Sequence, residues 1–122
     1  MITQDQPDVA EILRTVAEFA RGVAARSAGS ERYDALCAAF LVEVVGRELA
    51  AGEAPAQRQQ AALRELLGSP GDQPAPSYGE FCRRVRAGEL DHDWKRAFDF
   101  ALHQVIDKVR VTNPVHLESD HR

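Results

Sequence analysis

The stretch that decides the fold runs from Arg86 to Pro114 and reads RAGELDHDWKRAFDFALHQVIDKVRVTNP. Gly88 predicts the end of one helical segment, and Asp91 is a suitable cap for the next. Apolar side chains then recur every three or four residues, which predicts a helix with one face in the core. Asn113 before the proline predicts its end. The apolar residues of this helix are Trp94, Phe98, Ala101, Leu102, Val105 and Val109.

The remaining sequence predicts four further helices, separated by glycine and proline. The first begins at Asp8, because Glu11 three residues later completes a capping-box spacing. The second covers residues 31–51, and its broad apolar face predicts the most buried helix of the protein. The third covers residues 56–67 and is apolar only near its end, which predicts a peripheral position. A short fourth helix begins with the capping-box spacing of Ser77 and Glu80.

These segments define the fold class. No stretch of useful length alternates between apolar and polar residues, the pattern of a half-buried strand. We therefore predict an all-α protein, a compact bundle of four to five helices that forms a single helical domain over residues 1–122. Three prolines and two glycines predict a loop at residues 68–76, and the polar residues 115–122 predict a frayed tail.

Composition and charge exclude several classes of protein. With 44% hydrophobic and 28% charged residues, the chain of 122 residues has an ordinary globular composition. Its net charge of -4 argues against nucleic-acid binding, which needs a basic surface. No apolar run is long enough to span a membrane, and residues 1–5 lack the features of a secretory signal. Cys37 and Cys82 stand far apart, as expected in a reducing compartment, so we predict a cytoplasmic protein.

Three polar residues of the last helix are candidates for chemistry. Asp99, His103 and Asp107 are spaced four residues apart and share one face, where a histidine between two carboxylates could bind a metal or transfer a proton. That face lies nearly opposite the apolar stripe around Trp94, which favours a solvated row of polar side chains. A metal site would need further ligands from elsewhere, so we predict neither a metal nor a cofactor.

Basic residues gather around the turn at Gly88. Arg83, Arg84 and Arg86 precede the turn, and such a patch suits a phosphate or an acidic partner surface. Glu89 and other carboxylates in the same turn neutralise much of this charge, which favours ordinary solvated side chains. The sequence has no phosphate-binding glycine loop, nucleophile elbow or His-Glu-x-x-His motif, so we predict no catalytic residue and no enzyme.

The order of these motifs resembles a family of small bacterial helical proteins of uncharacterised function, encoded beside aminoglycoside-phosphotransferase-like kinases and acyl-CoA dehydrogenases. Where members of that family carry an asparagine in the second helix, this sequence has Phe40. The resemblance implies a non-catalytic accessory subunit that helps a phosphotransferase-like kinase act on hydroxyacyl-CoA substrates in acid catabolism. The matching pieces are DVAEIL from Asp8 with Val16 and Phe19, GREL from Gly46, RAGELD from Arg86, and Asp107-Lys108 with Asn113-Pro114.

Three hypotheses from different classes of protein follow. The first is a binding module, in which exposed residues contact the kinase-like partner. The second is a self-associating structural protein, in which the broad face of the second helix completes its core in a homodimer. The third is a small metal-dependent enzyme that uses the polar row of the last helix. The partner-binding residues of the first hypothesis are Arg84, Arg86, Glu89, Lys108 and Asn113.

Overall fold

The protein is all-α, as predicted. The computed structural model describes residues 6–122, and in that range it contains five α-helices and no strand. No helix in the described range is long and apolar enough to cross a membrane. The prediction about a secretory signal concerns residues 1–5, which lie outside the described residues. The helices are α1 (Val9–Ala25), α2 (Gly29–Ala51), α3 (Ala54–Leu67), α4 (Tyr78–Arg86) and α5 (Trp94–Thr112).

Local sequence signals place the helix ends. Asp8 Oδ1 accepts a hydrogen bond from the Glu11 amide at 2.8 Å, and Ser77 Oγ accepts one from the Glu80 amide at 3.1 Å. Both predicted capping residues therefore satisfy a free amide at the start of a helix. The last helix differs slightly from its prediction, because Asp91–Asp93 form a 3₁₀ turn before α5 begins.

The chain divides into two compact units. The first comprises the residues up to 50 together with residues 111–113, and the second comprises residues 51–110 and 114–122. The first unit contains α1 and α2, and the second contains α3, α4 and most of α5. Residues 68–76 connect α3 to α4 without a helix of their own. The prediction of a single domain stays a prediction.

In the first unit, α1 and α2 pack through small residues. The buried residues of the two helices are Ala17, Ala24 and Ala39. A Cβ atom at Gly46 of α2 would lie 3.7 Å from Leu13 Cδ1 of α1, so the leucine side chain lies over this glycine. The prediction that the second helix is the most buried one is wrong, since only its alanine side is covered. Many of the large apolar side chains of α2 are exposed instead, among them Tyr33, Leu41 and Leu49.

The second unit has a core of large side chains. Phe81 of α4 and Phe100 of α5 lie with ring centroids 4.8 Å apart. Leu63 and Leu67 of α3 are 4% and 9% exposed and belong to the same core. The apolar end of α3, where the sequence has its large apolar side chains, packs in this core, whereas the first turns of the helix are largely exposed. Leu90, from the turn before α5, completes the cluster with Ala97.

The residues after α5 have defined local structure, and the prediction that they fray stays a prediction. They form two short 3₁₀ turns, and Leu117 between them is only 8% exposed. Arg110 NH2 donates a hydrogen bond to His121 O at 3.0 Å, and Arg122 Nε donates one to Leu117 O at 2.9 Å. One buried leucine and two arginine contacts therefore hold a segment whose composition is polar.

Candidate partner-binding surface

Four charged side chains form a cluster at the turn between α4 and α5, which we call the turn cluster. Arg83 NH2 lies 2.8 Å from Glu80 Oε1, and Arg84 Nε lies 3.1 Å from the same oxygen. Glu89 Oε2 lies 3.4 Å from Arg83 NH2. Hydrogen bonds from Arg83 and then Arg84 lower the pKa of Glu80 from 4.5 to about 2. The same pairing raises the pKa of Arg83.

The turn cluster contains two of the predicted binding residues. Arg84 and Glu89 approach to 3.9 Å, so the structure brings them together as the sequence predicted for residues of one turn. Arg84 NH1 also donates to Leu67 O at 3.4 Å, and its side chain is 32% exposed. Because this arginine ties α4 to the end of α3, its contacts support the shape of the turn.

The other three predicted binding residues lie at different places along the chain. Arg86 is exposed at the end of α4. Lys108 is exposed in α5, fourteen residues after Trp94, which corresponds to about 21 Å along the helix axis. Asn113 is half-buried and belongs to the first unit. The prediction that these five residues bind a partner stays a prediction.

Three exposed apolar side chains form a stripe along α5 in the second unit. Trp94 is 66% exposed, Phe98 is 57% exposed and Val105 is 55% exposed. We call these three residues the α5 stripe. The prediction that they face the core is wrong, because the buried side of α5 carries Ala97 and Phe100 instead. On a helical wheel Ala97 lies about 80° and Phe100 about 140° from the middle of the stripe.

The apolar spacing of α5 indicated the wrong side of the helix as the buried one. The stripe has regular apolar spacing, whereas the buried side continues from Phe100 into the polar residues Gln104 and Asp107. Apolar periodicity within a helix indicates that the uninterrupted apolar face is the buried one. Which side of α5 is buried depends on its packing partners on α3, and the pattern within one helix carries no information about them.

The buried side of α5 ends at a carboxylate that binds α3. Gln59 Nε2 donates a hydrogen bond to Asp107 Oδ2 at 3.0 Å. Arg110 NH1 lies 3.3 Å and Arg58 NH2 lies 3.8 Å from Asp107 Oδ1. The Asp107 side chain is only 15% exposed, so the prediction of a fully solvated polar row is wrong at this residue. Sequence reasoning also missed its two partners on α3, since neither belongs to a recognisable motif.

A groove between α3 and α5 borders the rest of the polar row. It has a volume of about 450 Å³, and Leu66 and Phe100 contribute apolar surface to it. Asp99 and His103 line it and are exposed, and His103 Nδ1 lies 2.7 Å from Asp99 O. A histidine that donates to this carbonyl from Nδ1 has Nε2 as its acceptor when neutral.

The possible metal ligands and the two cysteines can now be placed in the fold. Within residues 6–122, no three or more histidine, cysteine, aspartate or glutamate side chains are grouped so that they could hold a metal ion. Cys37 and Cys82 are half-buried free cysteines in α2 and α4. A hydrogen bond with the Cys37 side chain raises the pKa of Tyr33, one turn earlier in α2.

A second apolar surface lies on the pair of helices in the first unit. We call it the hairpin face. It consists of large side chains that are between 40% and 69% exposed. Soluble proteins rarely expose so many neighbouring large apolar side chains without an interaction that covers them. The residues of the hairpin face are Val9, Ile12, Val16 and Phe19 of α1, and Leu41, Val45 and Leu49 of α2.

The fold and these surfaces define a class of protein, namely a small all-α protein that exposes apolar surface on both of its units. The chain belongs to the family described as Domain of unknown function (DUF6285), whose model matches residues 25–116. The match spans α2 to α5. No curated protein and no solved structure matches the chain.

Proposed function

We propose that the protein is a non-catalytic accessory protein that binds a phosphotransferase-like kinase acting on hydroxyacyl-CoA substrates in the cytoplasm. The main support for this proposal is the α5 stripe, because exposed aromatic side chains on a helix can bind in an apolar groove of a partner. The sequence resemblance to proteins encoded beside such kinases supplies the identity of the partner.

The α5 stripe offers an anchor of useful size. From the exposed fractions of Trp94, Phe98 and Val105, a partner would cover on the order of 300 Å² of apolar surface. Removing that area from water contributes roughly 7 kcal/mol to the free energy of binding, before the entropic and desolvation costs of association are subtracted. A standard interface covers about 800 Å² on each partner, so the stripe would be the centre of the contact and needs a polar rim.

In this proposal, exposed charged residues of the predicted binding set supply that rim. Lys108 lies beside Val105 on the helical wheel of α5, and Arg86 is exposed at the end of α4. Arg84 and Glu89 have a different role in this proposal, since they hold the turn in shape within the turn cluster. Tryptophan and arginine are the residue types most enriched where binding energy concentrates.

The experiment is co-expression with the phosphotransferase-like kinase encoded nearest to the gene, followed by the mass of the complex from light-scattering chromatography. A mixed complex is expected for the unmodified chain. The double variant W94A/F98A is expected to weaken it by a hundredfold or more, on the order of the loss of two buried aromatic anchors. Kinase turnover on a hydroxyacyl-CoA substrate, with and without the chain, tests the accessory role.

A matched control removes exposed apolar surface elsewhere. Val115 is 75% exposed and lies outside the stripe, so V115A should leave the complex unchanged. The proposal fails if the unmodified chain forms no complex and leaves the kinase activity unchanged. It also fails if W94A/F98A and V115A bind equally well.

A further inference from the structure

The α1–α2 pair exposes its large apolar side chains and buries only small ones. Its buried residues are Ala17, Ala24 and Ala39, whereas the core cluster of the second unit contains two phenylalanines and three leucines. Burial of an alanine removes little apolar area from water, so three of them contribute little to stability. Helices gain most of their stability by packing an apolar face. The first unit therefore lacks a cover for that face.

The residues of the hairpin face lie on one side of the pair of helices, whereas three other exposed residues of α2 lie on the opposite side, namely Tyr33, Leu36 and Phe40. The helices run antiparallel, because only residues 26–28 connect them and Leu13 lies beside Gly46. At about 100° per residue, Val16 and Val45 each lie about a quarter turn from the line of contact, towards the same side. The hairpin face is thus one continuous surface contributed by two helices.

The centre of the hairpin face contains no charged residue. Arg21 and Glu43 form an ion pair that bridges the two helices, and both lie away from this face on the wheel. The acidic residues of α2 nearest to the face are Glu48, beside Leu49 near the end of the helix, and Glu31 and Asp34 in its first turns. Protein interfaces have this composition, with an apolar centre from which charge is excluded and charged residues at the edge.

We propose that a second copy of this chain covers the hairpin face, so that two helix pairs form a four-helix bundle around a two-fold axis. The exposed fractions of the seven side chains correspond to on the order of 450 Å² of apolar surface in each copy. A standard interface covers about 800 Å² per partner, and in homodimers about 65% of that area is apolar. The face therefore matches the apolar area that a stable dimer requires.

The test is the mass of the full-length chain by sedimentation equilibrium over a wide range of concentration. The expected mass is twice that of the 13.5 kDa chain. V45E and V16E each place a charge at the centre of the face, at positions that are 46% and 47% exposed in one copy. Both should weaken the dimer by roughly a hundredfold or more, because a carboxylate would lose water without a partner.

The control is the same substitution at another exposed valine. Val115 is 75% exposed in the second unit, so V115E should keep the dimer. Circular dichroism checks that each variant is helical. If V45E does not fold, F19A removes the most exposed side chain of the face without adding charge, and it should weaken the dimer by about tenfold.

Three results would overturn the inference. They are a monomer at every concentration, a dimer that V45E, V16E and F19A leave intact, and a dimer that V115E disrupts as strongly as V45E. The inference is independent of the kinase-binding proposal, because the α5 stripe belongs to the second unit. W94A/F98A should leave the dimer intact even where it abolishes kinase binding.

Discussion

Phe100 of α5 packs edge-on against Phe81 of α4, with ring planes at 64° and centroids 4.8 Å apart. Phe98, two residues earlier, is 57% exposed, whereas Phe100 is 8% exposed. F100A should therefore lower the free energy of unfolding by about 3–5 kcal/mol. F98A, the matched control, should change it by less than about 0.5 kcal/mol. Urea denaturation of the two variants measures the difference, and equal effects would contradict the assignment of the buried side.

The turn cluster makes stability depend on pH in the acid range. The folded protein lowers the pKa of Glu80 from 4.5 to about 2, because Arg83 and Arg84 hydrogen-bond its carboxylate. A lowered pKa contributes stability that is fully present above pH 4.5 and is lost as the pH falls towards 2. E80Q should therefore lower the Tm at neutral pH and have little effect near pH 2. A difference in Tm that persists at pH 2 would contradict this account.

Asp107 joins α5 to α3 through hydrogen bonds and ion pairs. D107A leaves the Gln59 amide without its acceptor in a place that is mostly shielded from water. We expect the free energy of unfolding to fall by about 1–3 kcal/mol. Asp99 is exposed on the same helix, so D99A should change it by less than about 0.5 kcal/mol. Chemical denaturation of both variants tests whether the contact stabilises the second unit.

Gly88 adopts a backbone conformation that disfavours other residues. Its φ is +77°, and an added Cβ would lie 3.1 Å from Asp91 Oδ2. G88A should therefore lower the free energy of unfolding by about 1–2 kcal/mol. A Cβ atom added at Gly71 would meet no other atom within 4 Å, and its φ is not positive, so G71A should be neutral or slightly stabilising. Thermal unfolding of the pair separates backbone strain from a general effect of replacing glycine.

The sequence predicted those parts of the fold that depend on neighbours along the chain. The caps at Asp8 and Ser77 and the helix end before Gly88 follow from hydrogen bonds over three or four residues. The all-α class follows from the same local patterns. These predictions needed no information about contacts between distant residues.

The sequence did not predict which side of each helix is buried. α2 is apolar around most of its circumference, so its pattern could not show that Ala39 faces α1. The contact between Asp107 and Gln59 joins residues 48 positions apart, and no local pattern encodes it. The α5 stripe was recognised as apolar, but its exposure depends on how α5 packs against α3 and α4.

Trp94 allows the most direct measurement of the central claim, because it is the only tryptophan of the chain and is 66% exposed. The measurement is a titration of its fluorescence with the phosphotransferase-like kinase, made with a tryptophan-free kinase variant. If the kinase covers the α5 stripe, the emission should shift to shorter wavelength and become protected from a soluble quencher. Unchanged emission at saturating kinase would contradict the claim that this stripe binds the partner.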